Sequence, residues 1–289
     1  MARERETDEI TGTETTGHEW DGIKELNTPL PRWWLWTFYA TVVWAIGYWI
    51  VMPAWPLISG YTPGLLGYTN RAAVADRMAE AEAARADVLS QIAELPPEEI
   101  AADARLREFA MAGGDSAFAV NCSQCHGQGA AGFPGYPNLN DDAWLWGGTL
   151  PDIVQTVRYG IRSDHEETRL GDMPAFLRDG ILERDQVEDV VEYVLSLSGR
   201  AEDPAAAERG AAVFAEQCAA CHMEDATGST DLGAPNLTDT IWLYGGDRAT
   251  ITETVANGRA GVMPAWIGRL SEATIKQVAI YVHSLGGGQ

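Results

Sequence analysis

The sequence predicts an all-α protein, with one N-terminal transmembrane helix followed by two tandem helical domains of the same fold. Three observations carry that expectation. Residues 33–70 contain no charged side chain. A series of motifs between residues 122 and 197 returns in the same order between residues 218 and 285. The segments flanking those motifs, such as Val187, Val190, Val191 and Val194, follow helical rather than alternating spacing.

The membrane helix is the first element. Residues 33–52 form a mostly apolar run of 20 residues, the length a helix needs to cross a bilayer while satisfying its own backbone. Trp33, Trp34 and Trp36 stand at one end of it, with Trp49 and Trp55 at the other, where indole rings settle at headgroup level. Pro53 and Pro56 end the helix. A cleaved signal peptide would have a shorter apolar core and a small-residue cleavage site, and a buried core helix would not carry aromatics at both ends. The expectation is therefore an uncleaved anchor over 33–56. Residues 1–32 precede it on the cytoplasmic side, in line with Lys24 and Arg32 before the span against Arg71 after it.

Between the anchor and the repeats, residues 57–112 read as a Gly/Pro-rich loop and linker helices. Residues 71–95 are dense in Ala, Glu and Arg. Val74, Met78, Ala81, Val88, Ile92 and Leu95 fall on one stripe, so this helix either packs along one face or stands as a solvated spacer. Pro96 and Pro97 break it, and a shorter helix follows over 98–111. The chain as a whole carries 20 basic and 42 acidic residues, a net charge of −22. That balance excludes nucleic acid as a partner, since binding a polyanion needs a Lys/Arg footprint, and it favours a basic protein partner or plain solubility.

The repeat fixes the rest of the architecture. Cys122-Ser-Gln-Cys125-His126 returns as Cys218-Ala-Ala-Cys221-His222, and Pro137-Asn138-Leu139 as Pro235-Asn236-Leu237. Trp144 with its Gly147-Gly148 returns as Trp242 with Gly245-Gly246, Met173-Pro174-Ala175 as Met263-Pro264-Ala265, and Tyr193 to Leu197 as Tyr281 to Leu285. The offsets are 96, 98, 98, 90 and 88, and the largest change is eight extra residues between Arg162 and Arg169. Two domains follow, 113–200 and 201–289. Each has a helix running into its Cys pair (115–121, 211–217), a short middle helix (151–159, 250–257) and a closing amphipathic helix (184–197, 272–285).

Cys-x-x-Cys-His is the attachment pattern of a c-type haem. Two thiols three residues apart reach the two vinyl groups of one porphyrin, and the adjoining His126 or His222 faces the iron. A zinc ribbon would pair its Cys elements over a far shorter interval, and a thioredoxin-like motif would need a strand–helix context. Two haem c are therefore expected, on Cys122 with Cys125 and on Cys218 with Cys221. For the sixth iron ligand, only Met173 and Met263 repeat in register, each stiffened by the following Pro; the alternative is a pair of core methionines. Ligation within each repeat is the default, and the sequence does not decide it. His165, among acidic residues in the extra segment, is a rival ligand but reads better as a loop histidine. His18 and His283 read as exposed or structural. The copies resemble small c-type cytochromes, in which a proline carbonyl at the place of Pro137 and Pro235 accepts the N–H of the axial His. Trp144 and Trp242 are expected against the haem or its propionates. With both axial positions filled, each domain moves electrons rather than transforming a substrate.

The segment before the anchor is more specific than the haem motifs. His18-Glu-Trp-Asp21-Gly22-Ile23-Lys-Glu25-Leu26-Asn27-Thr-Pro29-Leu-Pro31-Arg32-Trp33-Trp34, together with the rest of the chain, resembles the dihaem cytochrome c subunit of cbb3-type cytochrome c oxidases, subunit III. The resemblance implies an electron-transfer subunit without catalysis of its own. It would accept electrons from a donor cytochrome c and pass them through two haems to a partner monohaem cytochrome c subunit. From there they would reach the haem–copper subunit, which reduces oxygen and pumps protons. Covalent haem attachment further implies haem domains in the periplasm of a bacterial inner membrane. A membrane-tethered dihaem shuttle outside any oxidase is the alternative, and a dihaem peroxidase is disfavoured by the two in-register methionines.

Overall fold

The computed structural model describes residues 6–287, so the ends of the expected 1–32 and 201–289 segments lie outside the described residues. Two compact units emerge, Met1–Ala84 and Arg85–Gln289.

The first unit opens on an antiparallel hairpin, β1 (Thr15–Trp20) and β2 (Ile23–Leu26). Asp21 and Gly22 make its turn with φ of 51° and 84°, the left-handed pair that two-residue hairpins require. The Asp-Gly signal was legible in the sequence, but the expectation of an all-helical chain passed over it. α1 (Arg32–Val51) has 20 residues, none buried, and at 1.5 Å per residue spans about 30 Å. It is the one helix among the described residues long and apolar enough to cross a membrane. Trp34 stacks on Phe38 and Trp49 meets Trp55 edge-on, at either end of the span. A minimal hairpin, β3 (Pro56–Leu57) with β4 (Gly60–Tyr61), follows the prolines.

α2 (Asn70–Glu94) begins in this unit and ends in the next. Its apolar stripe is used only in part: Val74 and Met78 are exposed, whereas Ile92 is fully buried with Val88, Leu89 and Leu95 packed beside it. The buried Lys276 ammonium donates to the carbonyls of Ala93 and Leu95 at 2.8 and 2.7 Å, closing the end of α2 where orphan carbonyls and the helix dipole favour a cation.

Among the described residues, the named elements of the second unit beyond α2 are all helices, joined by loops that carry isolated β-bridges: α3 (Pro97–Ala102), α4 (Ala104–Asn121), α5 (Ser123–His126), α6 (Leu150–Tyr159), α7 (Arg184–Ser196), α8 (Pro204–Gln217), α9 (Ala219–His222), α10 (Arg248–Asn257) and α11 (Glu272–His283). The longer helices start at side-chain caps. Asp103, Thr149, Asp203, Asp247 and Ser271 each accept a backbone N–H of the following turn. The helix expected over 98–111 is instead broken at Asp103, and α4 then runs unbroken through Gly113 and Gly114. Those glycines do not separate two helices; they let two helices touch. A Cβ on Gly114 would lie 2.2 Å from the carbonyl oxygen of Gln277, and one on Gly210 2.0 Å from that of Asp189.

Those contacts expose the main departure from a linear reading. Two domains over 113–200 and 201–289 would each close on their own final helix. Instead α4 packs on α11, and α8 packs on α7. One core gathers Phe118, Ile153, Val154, Val157, Ile275, Val278 and Val282 from both repeats. The other gathers Phe176, Val187, Val191, Phe214, Ile251 and Val255, again from both. The connection between the repeats matches this packing. Residues 197–203 turn the chain so that α8 folds back on α7 as a helical hairpin, and the closing helix of the first repeat meets the opening helix of the second.

Candidate functional site

Each Cys pair occupies one turn at the end of a long helix. α4 ends at Cys122 and α5 carries the motif onward, with Cys125 N–H and His126 N–H both donating to the Cys122 carbonyl at 3.1 and 3.0 Å. The second copy repeats this, from Cys221 and His222 to Cys218, at 3.1 and 2.9 Å. In both, the first Cys is half-buried and the second exposed. Burial, with the second Cys beside it, pushes the thiols of Cys122 and Cys218 up to about 11, so they stand protonated. A thiol is the species that adds across a vinyl group, its sulfur to one carbon and its hydrogen to the other.

The imidazoles are oriented as expected from the proline pattern. His126 Nδ1 donates to the Pro137 carbonyl at 3.1 Å and His222 Nδ1 to that of Pro235 at 3.0 Å. That leaves Nε2 as the ring nitrogen free to ligate. Burial lowers both imidazole pKa values, against a smaller raising effect of the proline carbonyls. Burial therefore favours the neutral ring, the form that binds a metal.

An apolar cleft of about 740 Å³, including its open mouth, lies over the first motif. Cys122, His126, Pro137, Leu139 and Trp144 line it, as the first repeat alone would supply, but Val278, Val282 and Met263 come from the second. Met173 packs instead against the other core, the one that Cys218, Leu237 and Trp242 also pack against. The exchange of closing helices carries each Met loop across with its helix, so the thioether in the wall of the first cleft comes from the other repeat, not from the repeat that supplies Cys122 and His126. The residues present fit a haem c at both places: paired thiols, an oriented imidazole and a thioether around apolar walls.

The Met loops are interlocked by their backbones. Met173 N–H donates to the Arg259 carbonyl at 2.9 Å, and Arg259 N–H donates back at 3.1 Å. Ile161 and Met263 exchange a similar pair at 2.9 and 3.0 Å. Gly160 and Gly258, with φ of 74° and 71°, pass so close that a Cβ on either would stand 2.3 Å from the Met263 or Met173 carbonyl. His165 is not part of the cleft wall. Its ring lies 4.7 Å from that of Tyr159, and its Nδ1 accepts the Glu167 N–H. Trp144 lines the cleft and donates to the Gly287 carbonyl, and Trp242 lies under the Arg200 guanidinium. A matched pair was missed. Arg169 stacks over Trp146 and Arg259 over Tyr244, bonded through Nε to Thr156 and Thr254. Each Arg precedes its Met by four residues, an in-register signal the sequence did contain.

Comparison with known proteins agrees along the chain. The N-terminal domain of cytochrome oxidase-cbb3, FixP, matches residues 12–59, a cytochrome c model matches 111–198, and cytochrome c oxidase, cbb3-type, subunit III matches 205–282. The cbb3-type cytochrome c oxidase subunit FixP of Bradyrhizobium sp. (strain ORS 278) is 57% identical over the whole of both chains. Subunit CcoP of Cereibacter sphaeroides is 56% identical over 95% of each, and FixP of Azorhizobium caulinodans 55% identical over 96% of this chain and 94% of its own. With a membrane-length helix and cytochrome c domains in place, the chain belongs to the subunit III family of cbb3-type cytochrome c oxidases, as a membrane-anchored electron-transfer subunit of that enzyme.

Proposed function

We propose that the chain binds two haem c and holds them with exchanged methionines. The first is attached through Cys122 and Cys125, with His126 and Met263 on its iron. The second is attached through Cys218 and Cys221, with His222 and Met173. The observation that carries this reading is the presence of Met263 in one cleft wall with Cys122 and His126. A haem c so held supplies a one-electron iron couple. The protein's residues do the rest. Pro137 and Pro235 fix the imidazoles, the thioethers raise the potential relative to a second His, and the apolar walls exclude water. With both axial positions taken, no coordination site is left for a substrate, and the isolated chain performs no catalysis.

The haem-bearing unit then faces the periplasm, with residues 1–32 in the cytoplasm. Electrons arrive from a donor cytochrome c and leave for a monohaem cytochrome c subunit and the haem–copper subunit of the same oxidase. Pre-reduced donor mixed with the purified oxidase should reduce haem c before haem b, and oxidase stripped of this subunit should lose that first phase. An undiminished first phase would refute the route. Protease added to spheroplasts should cut the haem unit, and its protection would refute the orientation.

A further inference from the structure

Arg162 lies in the segment that only the first repeat possesses, and it is held in the left-handed region with φ of 49°. That conformation is costly for a residue with a side chain and marks a place over-determined by its surroundings. Its N–H donates to the Arg169 carbonyl at 2.8 Å. Its guanidinium reaches two further carbonyls. Nε donates to Gly261 at 2.7 Å, and a terminal nitrogen donates to Gly171. Asp172 and the Tyr244 phenol are its ionisable neighbours.

Gly171 and Gly261 occupy the same place in their repeats, two residues before Met173 and Met263. One side chain therefore grips both methionine loops at equivalent carbonyls, where the loops are already joined by the Met173–Arg259 and Ile161–Met263 pairs. We propose that Arg162 is a positioning residue shared by both haem sites: its planar fork fixes the two loops together, so the strength of each iron–methionine bond depends on the same side chain. A guanidinium suits this role because its donors are held in one plane at fixed angles, which a lysine cannot reproduce. The fork also links the two sites energetically, since a loop released at one iron loosens its grip at the other.

The proposal rests on Met173 and Met263 being the iron ligands, and the test separates the two claims. In the full-length chain with both haems, reduced, each Met-ligated haem should give one ε-methyl proton resonance shifted far upfield by the porphyrin ring current. In the oxidised chain, imidazole displaces the thioether, and the loss of the sulfur-to-iron charge-transfer band measures how readily. R162A should broaden or shift both methyl resonances and lower the half-displacing imidazole concentration about tenfold at both haems, the scale of losing a charge-assisted hydrogen bond. R162K, which keeps the charge and spares the fold, should shift both in the same direction by less. A change confined to one methyl resonance, or both left as in the wild type, overturns the shared role. A wild-type spectrum without upfield methyl resonances overturns the ligation beneath it.

Discussion

Replacing Gly114 by Ala probes the exchange of closing helices without touching a cofactor ligand. The added Cβ would stand 2.2 Å from the Gln277 carbonyl oxygen and 2.6 Å from the Tyr281 Cβ, so α4 and α11 must separate by roughly 1 Å. Overpacking of this kind costs about 2–3 kcal/mol when the obstruction is backbone. Alanine regains about 1 kcal/mol of helix propensity over glycine. The net loss is about 1–2 kcal/mol, which in a unit of this size lowers Tm by about 2–8 °C. The matching change, Gly210→Ala, meets the Asp189 carbonyl oxygen at 2.0 Å and loads the other core. Thermal melts of the full-length chain in detergent, followed at each haem's absorption, should show each variant lowering chiefly the transition of its own core. The two losses should add, because the contacts share no residue. A Gly114→Ala chain as stable as the wild type, or more so, would mean that α4 and α11 do not touch at this glycine.

Changing Cys122 and Cys125 together to Ser should leave one covalent porphyrin by intact mass, as should Cys218 with Cys221; a wild type carrying fewer than two would refute the count. With a net charge of −22, reduction by a basic donor cytochrome should slow about tenfold or more as ionic strength rises, since steering fades beyond about 8 Å at physiological salt. A flat salt series in stopped flow would assign docking to apolar contacts. Glu192 ties α7 to α10 and to the linker, its carboxylate accepting from Arg248 and from the Glu202 and Asp203 N–H groups. Burial works to raise its pKa, but Arg248 and the two N–H donors outweigh it and hold the value below its ordinary 4.5. Its contribution is therefore full above pH 4.5 and is lost as pH falls through the depressed value. Glu192→Gln should destabilise the chain by about 1–3 kcal/mol at neutral pH and flatten the acid limb of Tm against pH; an unchanged acid limb would refute the coupling.

Much of the molecule was legible in its residues because local chemistry decided it. The uncharged run gave α1, since nothing tertiary competes with a span that buries no residue. Cys122, Cys125 and His126 need only one helical turn, and Pro137 needs only the loop that returns to it. What the sequence concealed was long-range. Nothing in the two copies says which closing helix meets which opening helix, because the repeats are similar enough for either pairing to bury the same kinds of side chain. The observed pairing goes with a short connection over 197–203 that folds α8 back on α7, and with the close approach of helices at Gly114 and Gly210. Gly113 and Gly114 stand where helix propensity would place a break, yet α4 runs through them because a Cβ at either would collide with Gln277 of α11. Arg162 escaped for a similar reason. It belongs to the one segment without a counterpart, so register could not flag it, and its partners are carbonyls, which leave no residue signature.

The exchanged ligation is tested most directly in the chain that retains one haem, with Cys218 and Cys221 both changed to Ser. Its oxidised spectrum should show the sulfur-to-iron charge-transfer band of a Met-ligated haem. Adding Met263→Leu should abolish that band, while adding Met173→Leu should leave it in place, because Met263 shares the cleft with Cys122 and His126 whereas Met173 packs against the same core as Cys218. Loss of the band with Met173→Leu and its survival with Met263→Leu would contradict the account.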